Sequence, residues 1–529
     1  MMRGLWMSWV IVALLLAAGA GRCEMMDTVP QWSVWEGELA GAIAHESLPS
    51  EVNVSVRLIA PSGEEHRVEG FWDGGASWRV RFAPGEIGRW RWRSRAAGDA
   101  GLDGRGGEFE CVAAADGPLS GGPLRVATDG RHFEHADGTP FFWLADTAWN
   151  GALRADESDW AEYLSLRREQ GFSAVQFVTT QWRGWPGAAV FDDADGLDVN
   201  VAAFQRLDRM VAAVNAHGLV ASPVMLWTLT ESDPGQTLSE DDAIALCRYM
   251  VARWGAHNVV WMLGGDGRYQ DTVDRWKRIG RAVFGDESDR LVTMHPCGTS
   301  WVGDWFGGEP WFDFLGYQSG HGLPERTSRW IAEGPPAQRW RDLALPIINL
   351  EPNYEGHPAY SSDHVISALD VRRAAWHSLL SSPTAGVSYG TNPIWVWSEE
   401  IGVAPGHSRL RDVPPWREAL ETEGIAGMSA LRRILDDVEW WRLRPAQEML
   451  GKQPGEADPR DWIAVAATEA RDTVVAYAPG GGEIILTGEL PGGRAVWRDP
   501  RDGSSAPAAG EDGRFVAPGD GDRLLVISD

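Results

Sequence analysis

Two carboxylates stand where an apolar run stops. "NVVWMLGGD", residues 258 to 266, carries Val259 to Leu263 into two glycines and then Asp266, and "PIINLEPNYE", from residue 346, places Glu351 after Ile347 to Leu350. A continuous apolar run is the mark of a strand buried on both faces, and glycines let the chain turn sharply out of it. Each carboxylate is therefore expected at the C-terminal mouth of a buried strand. Two carboxyl groups facing one cleft can cleave a glycosidic bond, one protonated to help the leaving oxygen depart and one ionised to act at the anomeric carbon. Their spacing would decide between retention and inversion of configuration. Taken singly, Asp266 could cap the next segment and Glu351 could pair with an arginine. Glu355, farther into the same loop, is the rival for the role of Glu351.

The elements that must position this pair recur along the chain. Short β-prone runs begin "FFWLADTAW" at 141, "AVQFVTTQW" at 174, "LVASPVMLW" at 219, "NVVWMLGGD" at 258, "RLVTMHPCG" at 290, "FDFLGYQSG" at 312, "PIINLEPNYE" at 346 and "GVSYGTNPIW" at 386. Helical patterns separate most of them. One sets Phe204, Leu207, Met210, Val211 and Val214 on a single face and stops at Gly218, and another opens on a Ser239-to-Asp242 cap before Ile244, Cys247, Val251 and Trp254. About eight βα units in roughly 300 residues predict an α/β fold, a (β/α)8 TIM barrel, over residues 122–445, with Asp266 closing strand four and Glu351 strand seven. A doubly wound open sheet competes, but no Gly-rich phosphate fingerprint follows the first strand, and no cofactor is implied. Residues 28–118 alternate as a β-sandwich, with Val52, Val54, Val56 and Leu58 in one strand, Trp78, Val80 and Phe82 in another, Trp90 and Trp92 beyond, and "PGEIG" as a turn. β-Patterning returns over 446–529 as a second small β-sandwich.

The chain of 529 residues carries a formal charge of −27, so nucleic acid is excluded as a partner unless a local basic patch overrides the field. Arg3, the apolar stretch Val10 to Ala18 and Ala18-Gly19-Ala20 predict a signal peptide over residues 1–20, and hence a secreted or periplasmic protein with no transmembrane domain after cleavage. Cys23 follows a poor lipobox, which makes lipid anchoring the minor expectation. The 4 cysteines are too scattered for a disulfide framework or zinc site. His257, His295 and His321 lack metal-ligand spacing, and no GxSxG elbow is present. The 30 tryptophans suit both cores and the flat faces of sugars. The sequence leaves the oligomeric state open.

"HFEHADGTPFFWLADTAWN", "VVWMLGGD", "EPNYEG" and "GVSYGTNPIWVW" together resemble the apiosidase-like glycoside hydrolase family, a (β/α)8 group similar to the large retaining glycosidase clan. The resemblance extends to an N-terminal sandwich, "VPQWSVWEGEL…GFWDGGASWRVRFAP", and to a C-terminal one of collagen-binding type, "RAVWRDPRDG". It implies a glycosidase acting on polysaccharide side chains, pectic ones among them, with Asp266 as acid/base and Glu351 as nucleophile. In one respect the chain departs from the clan, because Gly265 precedes Asp266 where the clan has an Asn-Glu pair.

Further candidates for binding a carbohydrate substrate lie at or beyond strand ends. Asp146 and Trp149 follow strand one, with Asp146 either reaching sugar hydroxyls or capping Thr147 and Ala148. Tyr317 could orient the nucleophile and lower its pKa by donating a hydrogen bond. Gln181, Trp182, His295, His321 and Tyr389 occupy similar places, and Trp395 and Trp397 offer either a sugar-stacking platform or rim packing. The contrasting reading is a non-catalytic carbohydrate-binding or matrix-associated protein with an inert barrel.

Overall fold

The computed structural model describes residues 27–180, 189–194, 196–285, 290–404, 407 and 410–529. The leader, Cys23, Gln181 and Trp182 lie outside the described residues. Among the described residues no helix is long and apolar enough to cross a membrane.

Eight parallel strands form the centre: β1 (Trp143–Thr147), β2 (Ala174–Val178), β3 (Val220–Trp227), β4 (Trp261–Gly265), β5 (Val292–Thr293), β6 (Leu315–Gln318), β7 (Ile347–Glu351) and β8 (Gly386–Tyr389). Their order is β5-β4-β3-β2-β1-β8-β7-β6, so the sheet curls into a barrel closed by a ladder everywhere except between β5 and β6. There a side chain stands in for the ladder, as the Thr293 hydroxyl donates to Phe314 O at 2.7 Å and accepts from Gly316 N at 3.0 Å. Inward residues such as Trp143, Ala145, Val178, Val224, Met262, Ile348 and Leu350 pack into one interior cluster. Their neighbours Leu144, Phe177, Met225, Leu263 and Tyr317 pack outward against the helices. Both faces are apolar, which is why the strands read as unbroken runs.

The helices that follow the strands are α1 (Glu157–Glu169), α2 (Val201–Ala216), α3 (Glu240–Trp254), α4 (Val273–Phe284), the single turn α5 (Gly303–Phe306), α6 (Pro324–Glu333), α7 (Ala368–Ser381) and α8 (Glu423–Asp436). The expected face of α2 is buried. Ser239 caps α3 by accepting from Asp242 N at 3.1 Å, and Ser367 and Asp370 form a capping box on α7. A small sheet of Leu124–Val126, Phe133–His135 and Pro140–Phe141 plugs the floor, with Phe133 edge-on to Phe314 at 5.1 Å.

Ahead of the barrel a five-stranded sheet faces a three-stranded one, and Val54, Val56, Leu58, Trp78, Val80 and Trp90 are buried between them. "PGEIG" does turn the chain, but it carries it from Gly75–Phe82 in the small sheet to Gly88–Ala97 in the large one, so it joins no hairpin. The small sheet is bolted to the barrel by buried charge. Arg253 of α3 donates to Asp208 Oδ1 of α2 at 3.0 Å and to Asp73 Oδ1 at 2.9 Å, while Arg81 donates to Asp208 Oδ2 at 2.9 Å. Removing one partner of a buried pair leaves an uncompensated charge at a cost of about 3–5 kcal/mol. Asp208→Ala should therefore lower the urea midpoint of unfolding by the equivalent of about 3 kcal/mol. A loss under about 1 kcal/mol, as exposed pairs give, would show the network to be ornamental.

After the barrel come a six-stranded and a three-stranded sheet with Val465, Ala476, Trp497, Leu525 and Ile527 in their core. They dock on α7, where Arg372 makes two hydrogen bonds to Asp522 at 2.9 and 3.0 Å and Trp376 stacks near Tyr477. This explains why α7, unlike an ordinary barrel helix, is buried on nearly all sides.

Candidate active site

Glu351 ends β7, and its direction depends on an irregularity. Tyr317 pairs with Asn349 and Gln318 with Glu351, so Leu350 is an extra residue bulged from the ladder. Leu350 packs in the barrel interior and the bulge aims Glu351 into the mouth. The carboxylate, in a residue only 6% exposed, lies between two histidines, with His321 Nε2 2.8 Å from Oε1 and His295 Nε2 3.3 Å from Oε2. Burial pushes this carboxyl up, but the two histidines outweigh it and hold it well below the usual carboxylate range. Glu351 is thus ionised.

Asp266 follows β4 at the same mouth, half-buried, with φ +49° in the left-handed region that Asp tolerates better than most residues. Its backbone N–H donates to His295 Nδ1 at 3.2 Å. Since Nδ1 accepts, the proton of this ring sits on Nε2 and points at Glu351. One imidazole therefore joins the backbone of one carboxylate residue to the side chain of the other. The Tyr354 hydroxyl feels both: burial first, then the charges of Glu351 and Asp266, hold it protonated well above its ordinary range. That hydroxyl reaches toward Thr147 and Trp149 and closes no hydrogen bond among the described residues.

Aromatic rings wall the mouth. Trp149 lies 5.3 Å from Trp227 and edge-on to His295 at 5.4 Å, and the Tyr354 ring is 4.2 Å from His321. Trp227 also explains Gly265. A Cβ there would lie 2.5 Å from Val224 Cγ1 and 2.6 Å from Trp227 Cε3, so the indole fills the space that the clan's asparagine would need.

The structure thus brings together Asp266, Glu351, His295, His321 and Trp149. It takes others away. Asp146 faces outward, where its carboxylate accepts from Tyr163 OH at 2.8 Å and Arg167 Nε at 2.5 Å, and it caps Thr147 N at 2.9 Å. Tyr317 also faces the helices, against Trp330 and toward Ser378, so it does not orient Glu351. Tyr389 donates to Glu355, which also accepts from Thr422 Oγ1 and Gly424 N at the start of α8, so both are spent on holding a helix. Trp397 is stacked at 4.5 Å on Trp416 in the core, and Trp395 is buried with Nε1 bonded to Asn392. Tyr354 and Trp227 are absent from the sequence-level candidates, although Trp227 ends its strand's apolar run as plainly as Asp266 follows one. Among the described residues no group of three His, Cys, Asp or Glu could hold a metal ion.

A family model described as "Apiosidase-like, catalytic domain" matches residues 127–442, and a domain of unknown function, DUF5060, matches residues 28–97. No curated protein matches. Among solved structures, a family 5 glycoside hydrolase from Bacteroides vulgatus ATCC 8482 shares 23% identity at a TM-score of 0.67, covering 78% of this chain and 95% of its own. Another protein of that organism shares 18% identity at a TM-score of 0.69, covering 95% of this chain and 100% of its own. These likenesses show the fold.

Proposed function

This chain belongs to the apiosidase-like glycoside hydrolase family, and on that premise we propose that it is an exported retaining enzyme that trims sugars from polysaccharide side chains, pectic ones among them. The supporting observation is that His295 bonds the Asp266 backbone through one nitrogen and faces an ionised Glu351 with the other. In the first step a carboxylate oxygen of Glu351 bonds to the anomeric carbon as the glycosidic C–O bond breaks, and Asp266 gives its proton to the departing oxygen. In the second, Asp266 takes a proton from water as that water's oxygen displaces Glu351, restoring both groups. His321 and His295 stabilise the anionic form of Glu351 that attacks and leaves, and Tyr354 offers a donor to a sugar oxygen beside it.

The test is release of reducing sugar from a panel of aryl glycosides and pectic oligosaccharides, with the anomer of the first-formed product read by NMR. At least one substrate should be cleaved with retention. Folded protein that cleaves none would overturn the substrate class, and an inverted product would overturn the two-step route.

A further inference from the structure

Among the described residues, an aromatic ring that the mouth does expose is Tyr360, at 52%. It sits at the tip of a narrow strap after β7 whose two sides are laced by Gly356 N to Ile366 O at 2.9 Å, Ile366 N to His357 O at 2.9 Å and Ala359 N to His364 O at 2.7 Å. His364, in turn, is 2.9 Å from Asp370 in the first turn of α7. The tip is pinned to the site, because Tyr360 N donates to His321 O at 2.9 Å. Its ring lies 5.7 Å from His321 and 5.6 Å from His357. His321 thus touches both this ring and Glu351. Val365, on the same strap, adds a second exposed apolar side chain.

Trp149, Trp227 and Tyr354, the rings packed around His295 and His321, are all nearly fully buried. They leave little surface for a second sugar, whose natural course is outward over the rim. A flat ring carried on a strap whose backbone is hydrogen-bonded at both base and tip meets the C–H face of a sugar with little backbone entropy to lose. We propose that Tyr360 is the stacking platform for the sugar that adjoins the attacked residue, so that the protein selects an oligosaccharide over a lone glycoside. This rests on the hydrolase reading above.

The experiment compares a pectic oligosaccharide with the dinitrophenyl glycoside of the sugar released from it, using the full chain. Tyr360→Ala should raise the KM for the oligosaccharide about tenfold relative to that for the aryl glycoside, with kcat far less affected, and Tyr360→Trp should restore the ratio. An equal loss on both substrates, as expected if the strap merely braces His321, would overturn the platform, and so would an unchanged ratio. Binding of the oligosaccharide to Glu351→Gln separates this from the parent reading. If wild type turns over neither substrate but Tyr360→Ala still weakens that binding about tenfold, the platform stands and the hydrolase reading falls. Absent binding overturns the platform as well.

Discussion

Glu351→Gln should lower kcat/KM by about four orders of magnitude or more on every substrate, activated or not, because on the proposed route the attacking group itself is gone. The substitution keeps the size of the side chain and an acceptor for His321, so the protein should remain folded, as circular dichroism and the unfolding midpoint would show. The same site predicts a pH effect. Two histidines hold the Glu351 carboxyl well below its ordinary value, so its ionised form contributes stability above the usual glutamate range, and this fades as pH falls through the depressed value. His321→Ala removes the 2.8 Å partner while burial, which pushes the carboxyl up, remains. The acid limb of kcat/KM should then shift upward by on the order of one pH unit. An acid limb that stays in place, together with a Glu351→Gln variant retaining more than about a tenth of wild-type activity, would remove Glu351 from the reaction.

Asp266 should show a different pattern. Asp266→Gly suits the test better than alanine, since φ is +49° and glycine holds that conformation without steric cost, so the N–H that fixes His295 stays where it is. Loss of the proton donor should cost about 10²–10⁴-fold on poor leaving groups. Dinitrophenyl glycosides, which depart without protonation, should be affected far less in the first step. Azide, entering the space vacated by the carboxylate, should restore turnover and yield a glycosyl azide of retained configuration. Equal losses on activated and unactivated substrates, with no azide adduct, would sink the assignment. Glu355 offers no replacement, being bound to Tyr389, Thr422 and Gly424.

The eight strands were legible because burial on both faces writes itself as apolar runs, and the helices between them because one face and its caps do. Pairing was less visible. "PGEIG" says that the chain bends but not that the next strand joins another sheet. At the site, reading every strand-end residue as facing the mouth works for Asp266, His295 and Glu351 and misplaces Asp146, Tyr317 and Tyr389. Side chains alternate along a strand, so the last one can face either layer. Glu351 escapes the outward parity of Asn349 only through the bulge at Leu350, which no periodicity announces. Trp395 and Trp397 fall in and just after a buried turn of helix, Asn392–Val396, where their size serves packing. Tyr360 was invisible for the opposite reason, since its exposure depends on a strap whose fold is set by backbone hydrogen bonds.

The gap in the barrel's ladder gives Glu351 a task besides the one proposed for it. His295 follows β5, His321 follows β6 and Glu351 ends β7, so one carboxylate clasps three strands across the opening. The grip depends on negative charge. On the route proposed here, that charge disappears while Glu351 is esterified to a sugar, and the clasp slackens until water releases it. The barrel is then loosest during the lifetime of the ester, when the cut chain must depart and a water molecule must enter, and it tightens again as the free carboxylate returns. Catalysis and the mechanical closure of the fold would in this way keep the same clock.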